Sequence, residues 1–217
     1  MPKILFPDGK TKSFEKETNG FAIAESISKS LLKKAVAVTV NGKQKDLCDS
    51  ITEDSEIKII TNDSDEGLEI MRHTLTAQVL ARAIKILYPK AKLAIGPTIE
   101  NGFYYDVLFE KPISIDDFPL IEKEMKKIVN KGNQIEKSFK NKNQAKDLFY
   151  SKEEIYKVKI IEESEQKDNF QIYKQKDSNF FDLCRGPHLP SLKFIGPFKL
   201  TKLSGAYWKG DSKNEML

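Results

Sequence analysis

The chain has 217 residues, 39% of them hydrophobic, which is enough apolar material for one large domain or two smaller ones and excludes disorder throughout. Lysine and arginine exceed aspartate and glutamate by 36 to 32, a formal net charge of +4 that permits an anionic partner without requiring one. Two distant cysteines, Cys48 and Cys184, suit a reducing cytosol better than a secreted disulfide framework; the proline-broken opening is no signal peptide, no apolar run reaches membrane-spanning length, and the expectation is a soluble cytoplasmic protein.

The first residues predict a strand, a turn at Pro7-Asp8-Gly9 and a second strand from Thr11 to Phe14, the pattern of a hairpin. Phe21, Ala24, Ile27 and Leu31 recur at helical spacing and predict one amphipathic helix. Val36 to Val40, broken by Asn41-Gly42, and Ile57 to Ile60 are rich in β-branched residues and predict strands. Two strands, a helix and further strands form a β-grasp pattern. The acidic stretch Thr61 to Gly67 lacks apolar periodicity and reads as a linker, so the expected domains are residues 1–62 and 63–217.

Leu68, Leu75, Val79, Ala83 and Leu87 predict a long helix stopped by Pro89. Strands are expected around Leu93-Ala94-Ile95 and Phe103-Tyr104-Tyr105, and a second long helix from Ser114 to Lys131. The lysine-rich stretch Asn130 to Lys146 reads as a solvated helix face and loop in preference to a phosphate-binding surface. Strands are expected again at Tyr156 to Ile160, Phe170 to Tyr173 and Phe180 to Leu183. The fold class is α+β: a β-grasp module, then long helices packed on an antiparallel sheet.

Histidine occurs only at His73 and His188. His188 closes Cys184-Arg185-Gly186-Pro187-His188, a tight turn across which a thiol and an imidazole can converge for metal ligation or a polar catalytic pocket, although such a pair is more often structural. Asp182 lies beside this turn, where it can orient an imidazole. By position alone His73 is a solvent-facing residue near the helix start, and Lys157 a surface lysine on a strand.

Four ordered segments shift that reading: Arg72-His73; Ala94 to Asp106; Asp182 to His188; and Gly205 to Asp211. Together they resemble the editing domain of threonyl-tRNA synthetases, and the first 62 residues resemble the ubiquitin-like TGS module that precedes it. The resemblance implies hydrolysis of tRNA wrongly charged with serine. A pocket that holds threonine discriminates against one missing methyl by only about 1–3 kcal/mol, so a second, hydrolytic site corrects the errors. It further implies His73, Lys157 and His188 as the catalytic set, and Gln78, Tyr105, Asp182 and Cys184 as substrate-binding residues. The implied partner is the aminoacylated 3′ end of the tRNA for threonine, with a homodimer in the full-length enzyme. No ATP-binding motif occurs, so ATP, magnesium and zinc are expected to belong to an aminoacylation core outside this chain, which is then either a fragment or a free-standing editor in trans.

The family carries His-x-x-x-His on the long helix, whereas this chain has Ala77 at the second position and Gln78 beside it. Positions 73 and 78 of a regular helix lie about 140° apart, so a shared face requires either that the helix begin after His73 or that an extra residue be absorbed as a π-bulge. The expectation is that the backbone absorbs it with His73 and Gln78 both facing the pocket, and an unbroken α-helix from His73 to Leu80 would exclude this. Glutamine is no usual zinc ligand, and His73, Cys184 and His188 supply three ligands where a closed structural site needs four. The expectation is therefore a metal-free site. The competing readings are a non-catalytic tRNA-binding module with a decayed site and a zinc-binding domain of the alanyl type.

Overall fold

A computed structural model describes residues 1–217. The hairpin opens as expected: β1 (Lys3–Leu5) pairs antiparallel with β2 (Thr11–Ser13). The predicted single helix is instead two, α1 (Gly20–Ile27) and α2 (Lys29–Lys34), because Ser28 is extended and its hydroxyl caps α2. The buried face of α1 is Gly20, Ile23 and Ala24, while Phe21 and Ile27 face out. The expected stripe through Phe21 and Ile27 was one residue out of phase with the core.

β3 (Ala35–Val40), β4 (Lys43–Lys45) and β5 (Ser55–Thr61) complete a five-stranded sheet of order β2-β1-β5-β3-β4. β1 and β5 run parallel, the arrangement of a β-grasp. A register shift between Ala35 and Ala37 breaks the alternation of β3. Ala35, Val38 and Val40 thereby pack with Ile23 and Ala24 of α1, while Val36 and Ala37 pack with Ile60, Ile70 and Leu189. β3 is consequently buried on both faces, and the second face belongs to the rest of the chain. The expected linker is a short surface turn beside this shared core: Asn62 N–H bonds the Lys34 carbonyl, and Ser64 caps the next helix.

That helix, α3 (Asp65–Thr74), starts with Asp65 and Glu66 at its positive end and continues through a π-helical segment, Leu75–Leu80, into α4 (Ala81–Leu87). Short strands β6 (Lys92–Leu93), β7 (Thr98–Ile99), β8 (Gly102–Phe103) and β9 (Val107–Leu108) follow, then α5 (Phe118–Asn130). α4 and α5 enclose the largest core with Val79, Ala83, Ile84, Ile121, Met125 and Ile128.

Two expectations fail beyond α5. The lysine-rich stretch contains a strand, β10 (Ile135–Lys140), paired with β11 (Phe170–Gln175), and the Lys137 side chain is buried in an ion pair. Residues 156–160 are helical: after α6 (Lys142–Tyr150), α7 (Ile155–Glu163) buries Tyr156, Lys157 and Ile161. Tyr156, Val158 and Ile160 alternate like a strand, but the buried positions 156, 157 and 161 recur at helical spacing, and packing against Phe149 and Phe170 selects the helix. β12 (Phe181–Leu183) completes the antiparallel sheet β10-β11-β12.

Candidate active site

His73 sits in the last turn of α3, eight residues in from the helix start and not at it. Its Nδ1 lies 3.2 Å from the Pro187 carbonyl, which can only accept, so Nδ1 carries a proton. Nε2 then holds the lone pair and takes the Cys184 thiol hydrogen at 2.8 Å. Burial pushes the His73 pKa down, against the Pro187 carbonyl and the charges of Asp46 and Asp182, which keeps the ring neutral at neutral pH.

His188 stacks on His73, ring centroids 4.5 Å apart. The Thr74 hydroxyl gives its one hydrogen to the Ile70 carbonyl and accepts from the Leu189 amide, so the His188 Nδ1 at 3.1 Å donates to it. His188 Nε2 is left a buried acceptor without a protein partner. His73, Cys184 and His188 bring one ligand atom each within 4.8 Å of one another, and they are the residues that could hold a metal.

The second half of the site is built on α7. Buried Glu154 accepts from the Leu93 amide at 2.9 Å and pairs with Lys85 at 2.6 Å, which ties the start of α7 to β6 and α4. One turn on, Lys157 Nζ lies 2.8 Å from Asp182 Oδ1 and donates to Tyr105 Oη at 3.0 Å. Tyr105 in turn donates to Asp182 Oδ2 at 2.9 Å. Lys157 is 4% exposed and Asp182 2%, so each charge depends on the other for its place in the interior. Burial, then the Asp182 charge, pushes the Tyr105 hydroxyl well above its ordinary range and keeps it protonated. Gly96 permits the approach of Tyr105, since a Cβ there would lie 2.4 Å from the ring.

One cavity of about 710 Å³ has His73, Ala77, Tyr105, Lys157, Asp182 and Cys184 in its wall, together with Arg185, Gln171 and Asn169. Two expected members are not there. His188 lies behind His73 and outside the cavity lining, because Thr74 and the turn through Pro187 hold its ring in the second layer. Gln78 is fully buried, with neither side-chain amide atom paired, and Ala77 takes the wall position. The π-helical segment does interrupt the helix, so the backbone device is present, but it brings Ala77 and not Gln78 alongside His73. Arg185 is a wall residue beyond the set expected from the sequence; its place next to Cys184 is the signal for it.

The first part of the chain, residues 2–61, matches the TGS domain family, and residues 170–217 match the threonyl and alanyl tRNA synthetase second additional domain. Over 217 residues, all of this chain and 33% of the relative, it is 48% identical to threonine–tRNA ligase 1 of Bacillus subtilis. The corresponding figures are 48% over 100% of the chain and 34% of the relative for the Francisella philomiragia threonine–tRNA ligase. For that of Bartonella bacilliformis they are 45% over 99% and 32%. The chain spans about a third of the length of these relatives. It therefore joins a TGS domain to a threonyl and alanyl tRNA synthetase second additional domain, in the manner of the N-terminal region of bacterial threonyl-tRNA synthetases.

Proposed function

We propose that this chain hydrolyses the ester joining wrongly attached serine to the tRNA for threonine, in the cytoplasm, as the editing region of a synthetase whose ATP-dependent ligation lies elsewhere. The observation that carries the reading is the convergence of the His73–Cys184 pair and the Lys157–Asp182–Tyr105 network on one cavity.

Ester hydrolysis requires a proton acceptor for water and a donor for the developing oxyanion. Neutral His73 supplies the acceptor at Nε2 once the Cys184 thiol rotates aside; His188 stacks behind it and holds its plane. Lys157 spends two of its three N–H donors on Asp182 and Tyr105, and the third is free for the substrate carbonyl or the ribose. Asp182 pairs with that ammonium in a buried site and accepts the Tyr105 hydroxyl and the Leu183 amide.

The test is release of serine and of threonine from the charged tRNA for threonine by the parent, Lys157→Ala and His73→Ala chains. The reading expects release of serine, little release of threonine, and loss of the serine reaction in both variants. The reading needs no metal, so chelator treatment leaves the rate unchanged; a rate restored only by zinc would assign His73, Cys184 and His188 as ligands instead. Ala77 in the wall, where the resemblance calls for a second histidine, favours one alternative, a tRNA-binding module without catalysis. Intact binding of the charged tRNA with no release by the parent would establish that alternative.

A further inference from the structure

The β-grasp module reaches the turn behind the site through the Asp46 carboxylate. Asp46, between β4 and β5, is 5% exposed and lies 142 positions from His188 in the chain. Its Oδ1 accepts the His188 backbone N–H at 2.8 Å, and its Oδ2 accepts the Tyr173 hydroxyl at 2.6 Å and Lys137 Nζ at 2.9 Å. Tyr173 in turn sets its ring edge-on to His188, centroids 4.4 Å apart. Gly186 makes the closeness possible: its φ is +66°, and a Cβ there would lie 2.0 Å from the Tyr173 hydroxyl and 3.2 Å from Asp46 Oδ2.

Three points of the turn that holds the two imidazoles are thus tied to groups outside its own segment. His73 Nδ1 bonds Pro187, His188 Nδ1 bonds Thr74, and the His188 backbone bonds Asp46. Lys137 pairs with Asp46 and Asp49 at once, which fixes the Asp46 carboxylate in place; burial pulls the Lys137 pKa down, but its bonds to Asp49 and Asp46 outweigh that and raise it. A buried hydrogen-bonded cluster of this kind costs more to disturb than a surface contact.

We propose that Asp46 of the N-terminal module is a positioning residue for hydrolysis, acting on His73 through the turn and the His188 ring. The hydrolytic site would then be completed across the domain boundary, and the module would be a structural part of it. This inference rests on the hydrolytic reading above for its effect on rate, but not for its effect on His188.

The chain's two histidines give a direct readout, since imidazole nitrogen chemical shifts of the histidine-labelled chain report tautomer and hydrogen bonding for each ring. The parent is expected to show each ring carrying a proton on Nδ1, hydrogen-bonded as in the structure. Asp46→Ala should displace the His188 resonances and lower kcat for seryl-tRNA hydrolysis by about 10- to 100-fold with KM little changed, as a misplaced but still accessible catalytic group does. Asp46→Asn keeps one acceptor oxygen and should lose less, and it serves if the alanine variant does not fold. Lys58→Ala removes an exposed ion pair with Glu66 across the same boundary and should leave rate and resonances as in the parent. Unchanged His188 resonances in a folded Asp46→Ala chain, or an unchanged kcat, would overturn the proposal. A parent that hydrolyses nothing would defeat the functional reading instead, and the resonances would still decide whether Asp46 sets the His188 ring.

Discussion

Replacing Lys157 by methionine removes one charge from a pair that has almost no contact with water. The pair is 2.8 Å apart, and two charges at that distance in an effective dielectric of about 20 attract by roughly 6 kcal/mol, against which stands the cost of desolvating both. The variant keeps volume but leaves Asp182 charged and buried, with only Tyr105 and the Leu183 amide as donors. Breaking such a pair from one side costs about 3–5 kcal/mol, whereas replacing both partners together costs much less. With a urea slope of about 2 kcal/mol/M, the unfolding midpoint of Lys157→Met should fall by roughly 1.5–2.5 M. The double variant Lys157→Met with Asp182→Asn should recover a good part of that loss, because the stranded charge is gone. A midpoint equal to the parent's in the single variant, or a double variant with the losses simply added, would refute the idea that these two charges hold one another in the interior.

Other outcomes follow from the same geometry. His73 is buried with a lowered pKa, so below about pH 6.5 the unfolded chain takes up a proton that the folded chain refuses. Stability should therefore drop as pH falls through that region, and urea unfolding of His73→Gln should show a flatter dependence. Gln78 has a buried amide without partners, so Gln78→Met should be neutral or raise stability by about 1 kcal/mol in thermal unfolding. A loss of several kcal/mol would show that the amide is satisfied after all. Gly186→Ala combines a positive φ with a Cβ 2.0 Å from the Tyr173 hydroxyl and should destabilise by more than about 2 kcal/mol, measured in the same way.

What could be read in the chain beforehand was what is local. Alternation, β-branched runs and turn residues mark β1, β2, β3 and β5, and the phase conflict at Ala77 and Gln78 marks the place where the helix becomes a π-helix. Cys184 and His188 were legible because the glycine and proline between them force a turn. The alternating apolar residues around Lys157 fit both the strand and the helix period in so short a run, and only the packing of α7 on Phe149 and Phe170 decides. The strand β10 was hidden by its lysines, since an edge strand with polar side chains has little apolar alternation to detect. Asp46 could not be found at all, because its meaning lies in partners at 137, 173 and 188, and nothing local marks an aspartate that crosses a domain boundary.

The central claim is spatial: the ester to be cut sits between His73 and Lys157. The most direct test is a crystal structure of the chain with a non-hydrolysable seryl-adenosine amide. The account predicts the amide carbonyl within hydrogen-bonding reach of Lys157 Nζ, with the seryl group between Tyr105, Asp182 and Cys184. An analogue bound anywhere other than this cavity, or bound in it with its carbonyl turned away from both His73 and Lys157, would contradict it.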